Sequence, residues 1–329
     1  MRQENNGTTA RRVQASVTAG LKKGWSGLIW LLKILVPISF FTAVMVHFNL
    51  LHHLDFLLEP LMSLIHLPAS AAVVLVIGLF SGIYGTVAAL SVMPFSMDHM
   101  ILIAVFTLIS HNIIQESLVQ ANSGIRFFMA AAFRLVMSFV VTFICAWILG
   151  VDPGTAIAAS GTATQAAAVP FSAMLTEWGI STGKLCVQIF CIIMPLMVVL
   201  ELAKQFHLID AVTRVCAPVV CLMGLDRSCA MLWMTAATFG LAYGSAVFVE
   251  ETRSHAYDRE ALTKLHLSIG VNHAMIEDPA LFLPLGLPVF WLWVPRLLAA
   301  MAVAWIYTGF SYARRLNAKR AGHKKLCNH

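Results

Sequence analysis

The sequence predicts an all-α polytopic membrane protein of about ten transmembrane segments, within a range of about eight to eleven, built as two repeats. Three observations support this fold class: charges are few, uncharged stretches are long, and a series of residues recurs in the second half of the chain. Of the 329 residues, 59% are hydrophobic and 12% are charged, and the mean hydropathy is +0.80. A soluble domain carries about 25% charged residues, so the composition excludes an ordinary soluble enzyme.

The basic residues are concentrated at the two ends of the chain. Residues 1–26 form one basic tail, and residues 311–329 form another that holds six Lys and Arg but no Asp or Glu. Basic clusters beside apolar runs follow the positive-inside rule. We therefore expect both termini in the cytoplasm, an even number of crossings and a multi-pass protein of the bacterial inner (plasma) membrane. Nucleic acid is not an expected partner, whereas the lipid bilayer is.

Uncharged stretches locate the transmembrane segments. About 20 apolar residues at 1.5 Å each cross a hydrocarbon core of about 30 Å. By this rule the spans lie near 28–48, 69–92, 98–117, 127–149, 184–203, 228–249, 262–279 and 289–310. Two shorter segments, 54–67 and 208–225, each hold a central proline and are either tilted spans, re-entrant pieces or interfacial helices.

Between the two tails the chain divides into three regions. We assign 27–150 to a first transmembrane repeat, 151–183 to a linker or re-entrant hairpin rich in Gly, Ala and Thr, and 184–310 to a second repeat. Small polar residues at membrane depth are tolerated where protein shields the backbone or where they line a cavity. Thr164 and Gln165 therefore belong either to a connector or to a broken, substrate-lining hairpin.

An internal duplication is the strongest signal in the sequence. At a spacing of 158 to 162 residues, equivalent positions are Pro37 and Pro195, Pro60 and Pro218, Gly82 and Gly240, Tyr84-Gly85 and Tyr243-Gly244, His111 to Glu116 and His273 to Asp278, and Arg134 and Arg296. If both short segments cross the membrane, each half has five spans and the halves are inverted relative to each other, which is the arrangement we expect. If they do not cross, each half has four spans and the repeat is parallel. Inverted repeats with broken helices are typical of secondary transporters.

Polar and ionisable residues inside spans are costly, which makes them functional candidates. The candidates for substrate binding or ion coupling are His111, Asn112, Gln115, Glu116, Asn272, His273, Glu277 and Asp278. Arg134 and Arg296 are the expected partners of Glu116 and Asp278, because each acid and its arginine flank a turn at similar distances. One interpretation is a pair of structural ion pairs. The other is a polar site that binds solute or relays protons, since histidine titrates near neutral pH.

Glycines interrupt two of the predicted spans. Gly82, Gly85, Gly240 and Gly244 either allow close helix packing or mark helix breaks that gate a pathway. Thr164 and Gln165 are grouped with them as gating candidates.

The second half also resembles a known family. Lys184, Pro218, the segment Gly240-Leu241-Ala242-Tyr243-Gly244 and the segment Asn272-His273-Ala274-Met275-Ile276-Glu277-Asp278 are similar to the Gate or nucleoside-recognition domain. That domain occurs in spore-maturation-type membrane proteins, in the membrane part of ferrous-iron permeases and, more distantly, in concentrative nucleoside transporters. The resemblance implies a protein that moves or gates a small solute. The nucleotide-binding domain of the iron permeases is absent, since the sequence has no GxxxxGK[ST] motif.

These observations predict a secondary transporter or permease for a small polar or anionic solute, nucleoside-like or an organic anion, with proton coupling as one option. The alternatives are a permease for divalent metal ions, with His111, His273 and Glu277 as ligands, and a membrane scaffold of the spore-maturation type. We expect no enzymatic activity, because the chain has neither HExxH nor GxSxG. No cofactor is expected beyond a coupling proton or cation, and homo-oligomerisation is left open.

Overall fold

The computed structural model describes residues 2–48, 59–152, 170–206, 208–254 and 257–326. Within these ranges the protein is helical and has no strands. Its α-helices, in chain order, are α1 (Arg2–His47), α2 (Ala71–Leu90), α3 (Met97–Ser110), α4 (Ile113–Asn122), α5 (Phe127–Leu149), α6 (Phe171–Gln205), α7 (Leu208–Leu222), α8 (Ala230–Ser254), α9 (Arg259–Val271), α10 (Glu277–Ala280) and α11 (Val289–Leu326). Short 3₁₀ turns occupy Arg227–Cys229 and Leu283–Leu285.

Six stretches in the described ranges are long and apolar enough to cross a membrane, so the protein is a membrane protein with several apolar helices. They are Arg11–His47, Ala71–Leu90, Met97–Asn122, Phe127–Leu149, Phe171–Gln205 and Val289–Asn317. Six is fewer than the ten or so expected. The other expected spans correspond to α7, to α8 and α9, and to segment 54–67, of which 54–58 lie outside the described residues.

Helix α6 begins well before the predicted second repeat. The sequence assigned 171–183 to the linker, yet α6 is continuous from Phe171, directly after Pro170, to Gln205. Trp178 in this early part donates to Ser39 Oγ at 3.1 Å. The expected hairpin region 153–169, including Thr164 and Gln165, lies outside the described residues.

Helices α1 and α6 pack against each other in antiparallel fashion. Trp178, near the start of α6, contacts Ser39, near the end of α1. At the other end, Gly20 of α1 approaches the α6 backbone so closely that a Cβ on Gly20 would lie 2.6 Å from Val198 Cα. Lys23 also pairs there with Glu201, at 2.7 Å. Small residues at a helix interface allow this close approach in membranes.

Helix α2 is a hairpin rather than the straight span predicted for 69–92. Gly82 breaks it with φ 77° and ψ −169°, a conformation open essentially to glycine alone. A Cβ on Gly78 would lie 2.5 Å from Thr86 Oγ1. Residues eight apart are about 12 Å apart along a straight helix, so the contact requires the chain to fold back at Gly82. Helix α8 breaks in the same way at Gly240, with φ 71° and ψ 178°.

A second type of break separates α3 from α4 and α9 from α10. Asn112 has the left-handed conformation at the first break, with φ 46°, and Ala274 has it at the second, with φ 44°. The Asn112 N–H donates to Gly78 O in α2 at 3.3 Å, and the Ala274 N–H donates to Ala236 O in α8 at 2.9 Å. In each half, therefore, a broken helix contacts a glycine-broken helix at the equivalent position.

Helices of the first half pack against helices of the second half. Helix α3 contacts α11, and helix α5 contacts α9. At one end of the molecule His66 Nδ1 lies 2.6 Å from Val151 O. At the opposite end His266 Nε2 lies 3.0 Å from Ser123 O. The helix breaks of both halves meet between these ends.

Candidate functional site

Two histidines, one from each half, meet at the centre of the protein. The rings of His111 and His273 stack with centroids 5.1 Å apart and an interplanar angle of 29°. Their exposed fractions are 3% and 0%. His111 directly follows α3, which ends at Ser110. His273 is the second residue after α9, which ends at Val271. The duplicated histidines, which the sequence placed on continuous helices, therefore lie at helix breaks where the two halves of the chain meet.

Backbone carbonyls set the tautomer of both rings. His111 Nδ1 lies 3.0 Å from Thr107 O, and His273 Nδ1 lies 2.9 Å from Ile269 O. A carbonyl oxygen only accepts, so each Nδ1 carries a hydrogen and donates it. In the neutral ring the remaining nitrogen, Nε2, then presents a lone pair. Both Nε2 atoms point toward carboxylates.

Glu116 contacts both histidines. Its Oε1 lies 3.3 Å from His111 Nε2, and its Oε2 lies 3.0 Å from His273 Nε2. Asp278, the equivalent acid of the second half, lies 3.2 Å from His111 Nε2 through its Oδ2. Each acid thus contacts the histidine of the other half, and the four side chains form one cluster, which we call the polar centre (His111, Glu116, His273 and Asp278).

Arg134 makes the predicted ion pair with Glu116. Its Nη2 lies 2.5 Å from Glu116 Oε2. The same guanidinium donates to Ile109 O at 3.0 Å and to His111 O at 2.8 Å. Arg134 is fully buried, and a buried charge at this depth requires both a counter-ion and hydrogen bonds. It therefore holds the break after α3 in place as well as neutralising the acid.

Arg296 does not make the predicted ion pair with Asp278; no nitrogen and oxygen of these two side chains lie within 4.0 Å of each other, and this part of the prediction was wrong. Arg296 instead donates to Leu292 O, Leu108 O and His273 O. Only the bond to His273 O repeats the one that Arg134 makes to His111 O. The cause is local: α10 has four residues where α4 has ten, so Asp278 does not lie on a regular helix facing α11.

The remaining predicted site residues divide into two groups. Gln115 is exposed, although Glu277 at the equivalent position is buried. Glu277 accepts a hydrogen bond from Tyr84 Oη at 3.0 Å. Asn272 is buried, and its amide donates to Met275 Sδ at 3.3 Å. Asn112 lies against Gly82, where a Cβ would come within 2.8 Å of its amide.

Of the four glycines expected either at close-packing points or at helix breaks, Gly82 and Gly240 have non-helical backbone, whereas Gly85 and Gly244 are helical. Tyr84, which from the sequence is only a marker of the repeat, is also a partner of this site through its hydrogen bond to Glu277. The tyrosine itself was the available signal, because a buried Tyr hydroxyl usually has a hydrogen-bond partner.

The arrangement is competent to bind a cation or an anion. The Nε2 atoms of His111 and His273 and a carboxylate oxygen of Asp278 lie within 4.8 Å of one another, which is compatible with a metal ion. In the described part of the chain, Arg134 Nη1 and Arg296 Nη2 are buried without hydrogen-bond partners. Two such donors beside a polar cluster are suited to an anionic group.

Comparisons with known proteins agree with a membrane protein and go no further. No family model matches the chain, so the resemblance to the Gate or nucleoside-recognition domain gains no support from this comparison. No solved structure matches it either. The chain is 28% identical over 283 residues to the uncharacterized membrane protein YvoD of Bacillus subtilis (strain 168), covering 86% of this chain and 91% of the relative.

Proposed function

We propose that the protein is a secondary transporter or permease that moves a small polar or anionic solute across the bacterial inner membrane. The observation that carries the proposal is the polar centre, where two broken helices from different halves bring two histidines and two carboxylates together in an apolar protein. Ionisable residues at membrane depth mark substrate or ion pathways. Broken helices around a site at the interface of two repeats are the usual design of secondary transporters.

The helix contacts support an inverted repeat with three crossings in each half. In this topology α1, α3 with α4, and α5 cross in the first half, and α6, α9 with α10, and α11 cross in the second. Helices α2 and α8 enter and leave at the same side as re-entrant hairpins. An odd number of crossings in each half inverts the second repeat relative to the first. This topology replaces the ten crossings expected from hydropathy.

The distribution of charge supports the same topology. With three crossings per half, Arg126, Lys204, Arg227, Arg259 and Arg315 all lie on the side of the two tails. Arg227, which ten crossings would place outside, moves to this side. Lys33, Arg134 and Arg296 lie within the membrane-spanning helices in this topology. Apart from these three, Lys184 is the one Lys or Arg nearer to the opposite side. Lys and Arg accumulate on the cytoplasmic side, so both termini are assigned to the cytoplasm.

An anionic or polar substrate is favoured by the two buried arginines. Arg134 Nη1 and Arg296 Nη2 are donors without partners in the described ranges, and both arginines hold the carbonyls at the helix breaks. The N-terminus of α4 begins directly after Asn112, and helix N-termini favour anionic groups. The resemblance to the Gate or nucleoside-recognition family is consistent with a small polar solute and remains part of this proposal.

Reconstitution tests the proposal. Purified protein in liposomes is assayed for uptake of nucleosides, organic anions and divalent metal ions, with protein-free liposomes as the control. We expect at least one of these solute classes to accumulate faster in the presence of protein. If folded, correctly inserted protein moves none of them, a scaffold role is favoured and the transport proposal is contradicted.

A further inference from the structure

We propose that the polar centre binds a divalent transition-metal ion through His111, His273 and Asp278, with Glu116 beside the ion. The inference rests on the proposed function only in that it names a ligand for the polar centre, the site to which the proposed function assigns transport. It differs from the metal site considered from sequence, because Asp278 replaces Glu277 as the carboxylate ligand.

The orientation of the two imidazoles is the first argument. Both rings donate Nδ1–H to a backbone carbonyl four residues earlier, Thr107 O for His111 and Ile269 O for His273. Metal-binding histidines nearly always donate their other ring N–H to such an acceptor, which fixes the ring and directs the remaining lone pair to the metal. The same arrangement occurs in both halves and directs both Nε2 atoms to one place.

The second argument is that, with both rings neutral, the Nε2 lone pairs face carboxylate oxygens, while Arg134 pairs with Glu116 and with neither ring nitrogen. His273 is fully buried, and its Nε2 lies 3.0 Å from Glu116 Oε2 without making a hydrogen bond to any described residue. Asp278 Oδ2 is likewise buried and has no hydrogen-bond partner among the described residues, although it lies 3.2 Å from His111 Nε2. Lone pairs that face each other in a buried site repel. A cation placed among them turns this repulsion into coordination.

The donor set indicates which metals fit. Two imidazole nitrogens with carboxylate oxygens suit Zn²⁺ and the neighbouring divalent transition metals, whereas Mg²⁺ and Ca²⁺ prefer oxygen ligands throughout. Glu116 lies beside both histidines, with Oε1 toward His111 and Oε2 toward His273, and its Oε2 is also paired with Arg134. The centre therefore favours Zn²⁺, Mn²⁺, Fe²⁺ or Co²⁺ over Mg²⁺.

The spacing requires little adjustment. Ligand atoms about 2.1 Å from a tetrahedral metal lie about 3.4 Å from one another. In the protein the His111, His273 and Asp278 ligand atoms lie within 4.8 Å of one another. The contacts from His111 Nε2 to Asp278 and from His273 Nε2 to Glu116 are already 3.2 and 3.0 Å. Small side-chain rotations close the remaining gap.

Metal binding to the purified full-length protein tests the inference without any transport assay. Protein stripped with a chelator is incubated with Zn²⁺ or with Mg²⁺ and desalted, and the retained metal is measured by mass spectrometry. We expect about one Zn²⁺ and no Mg²⁺ per chain. The double variant His111→Gln/His273→Gln should lose this Zn²⁺, and Gln115→Ala should keep it because Gln115 is exposed. Equal Zn²⁺ retention by wild type and the double variant would overturn the inference.

A second measurement needs no variant and so does not depend on how well a variant folds. Co²⁺ added to the stripped wild-type protein should give the intense visible absorption of a four-coordinate site, and Zn²⁺ should abolish it. A weak octahedral spectrum, or one that Zn²⁺ leaves unchanged, would contradict a histidine and carboxylate site.

Flux assays then separate the inference from the proposed function. If Zn²⁺ binds and is itself accumulated by proteoliposomes, the metal is the cargo. If Zn²⁺ binds and changes the uptake of an organic solute without being accumulated, it is a bound or coupling ion. Absence of Zn²⁺ binding with intact solute uptake would overturn the metal site and leave the transport proposal standing. Zn²⁺ binding without flux of any solute or metal would support the metal site and contradict the transport proposal.

Discussion

His111 and His273 lie in stacked contact, although they belong to different halves of the chain, and each ring is fixed by a carbonyl four residues earlier. The acid that follows each histidine crosses to the histidine of the other half, Glu116 to His273 and Asp278 to His111. The contacts are not fully symmetric, since Arg134 pairs with Glu116 whereas Arg296 pairs with no acid within the described ranges. The polar centre is therefore a shared site made from two similar parts.

Removing Arg134 should destabilise the protein more than removing a surface arginine. Arg134→Met leaves Glu116 buried without its ion-pair partner, and loss of one member of a buried pair costs about 3 to 5 kcal/mol. Arg126, which is exposed and directly precedes α5, provides the control, and Arg126→Met should change stability by less than about 0.5 kcal/mol. Unfolding in detergent or bicelles measures both. A similar stability for the two variants would contradict the role given to the buried pair.

The backbone breaks at Gly82 and Gly240 should not tolerate alanine. Each has a positive φ with extended ψ, which costs a non-glycine residue about 1 to 3 kcal/mol. In addition, a Cβ on Gly82 would meet Asn112 at 2.8 Å, and a Cβ on Gly240 would meet Ala274 Cβ at 3.1 Å. Thermal unfolding of Gly82→Ala and Gly240→Ala should show a lowered midpoint.

Gly183 is the matched control for these glycines. It lies within α6, and a Cβ added to it would meet no atom of the described residues within 4 Å. Gly183→Ala should therefore be neutral or stabilise the helix by up to about 1 kcal/mol. Equal effects of alanine at Gly82 and at Gly183 would show that the break at Gly82 is not required for folding.

The close contact between α1 and α6 should depend on Gly20. Leucine at Gly20 would overlap the Val198 backbone, where even a Cβ lies 2.6 Å from Cα. Forcing larger groups into packed contacts typically costs about 1 to 3 kcal/mol. Gly27→Leu is the control, because Gly27 lies on the same helix and a Cβ there would meet no described atom within 4 Å. Thermal stability should fall for Gly20→Leu and stay near wild type for Gly27→Leu.

Cysteine accessibility distinguishes three crossings per half from five. In a background without native cysteines, Arg227→Cys should react with an impermeant reagent only from the cytoplasm, and Leu64→Cys only from outside. Five crossings per half predict that Arg227→Cys reacts only from outside, and they place Leu64 within the span 54–67, where it should not react from outside. Arg126→Cys and Glu177→Cys serve as references, because both topologies place them inside and outside, respectively.

Much of this organisation could be predicted from the sequence. The recurrence of Gly82 as Gly240 indicated either close packing or helix breaks, and both glycines are breaks. The recurrence of His111 as His273 indicated where the halves meet. The Glu116 and Arg134 pair followed from equal distances to a turn, because α4 and α5 are regular helices on both sides of it. The same reasoning failed for Asp278 and Arg296, because residues 272–276 are not helical and α10 is only one turn long.

Other features could not be predicted, for physical reasons. A hairpin such as α2 and a straight span bury the same backbone hydrogen bonds and have the same apolar composition, so hydropathy does not separate them. The left-handed conformation of Ala274 has no local signal, since alanine does not favour it. Placing Gln115 beside His111 assumed a continuous helix, whereas the chain breaks at Asn112 between them and Gln115 is exposed.

Uptake by the variant Glu116→Gln, compared with Gln115→Ala, tests the central claim most directly. The two residues are neighbours on α4, but Glu116 contacts both histidines whereas Gln115 is exposed. In proteoliposomes with equal amounts of folded protein, we expect Glu116→Gln to reduce the uptake of the transported solute at least about tenfold, which corresponds to about 1.4 kcal/mol. Gln115→Ala should retain wild-type uptake. Unchanged uptake by folded Glu116→Gln would contradict the assignment of the polar centre as the transport site.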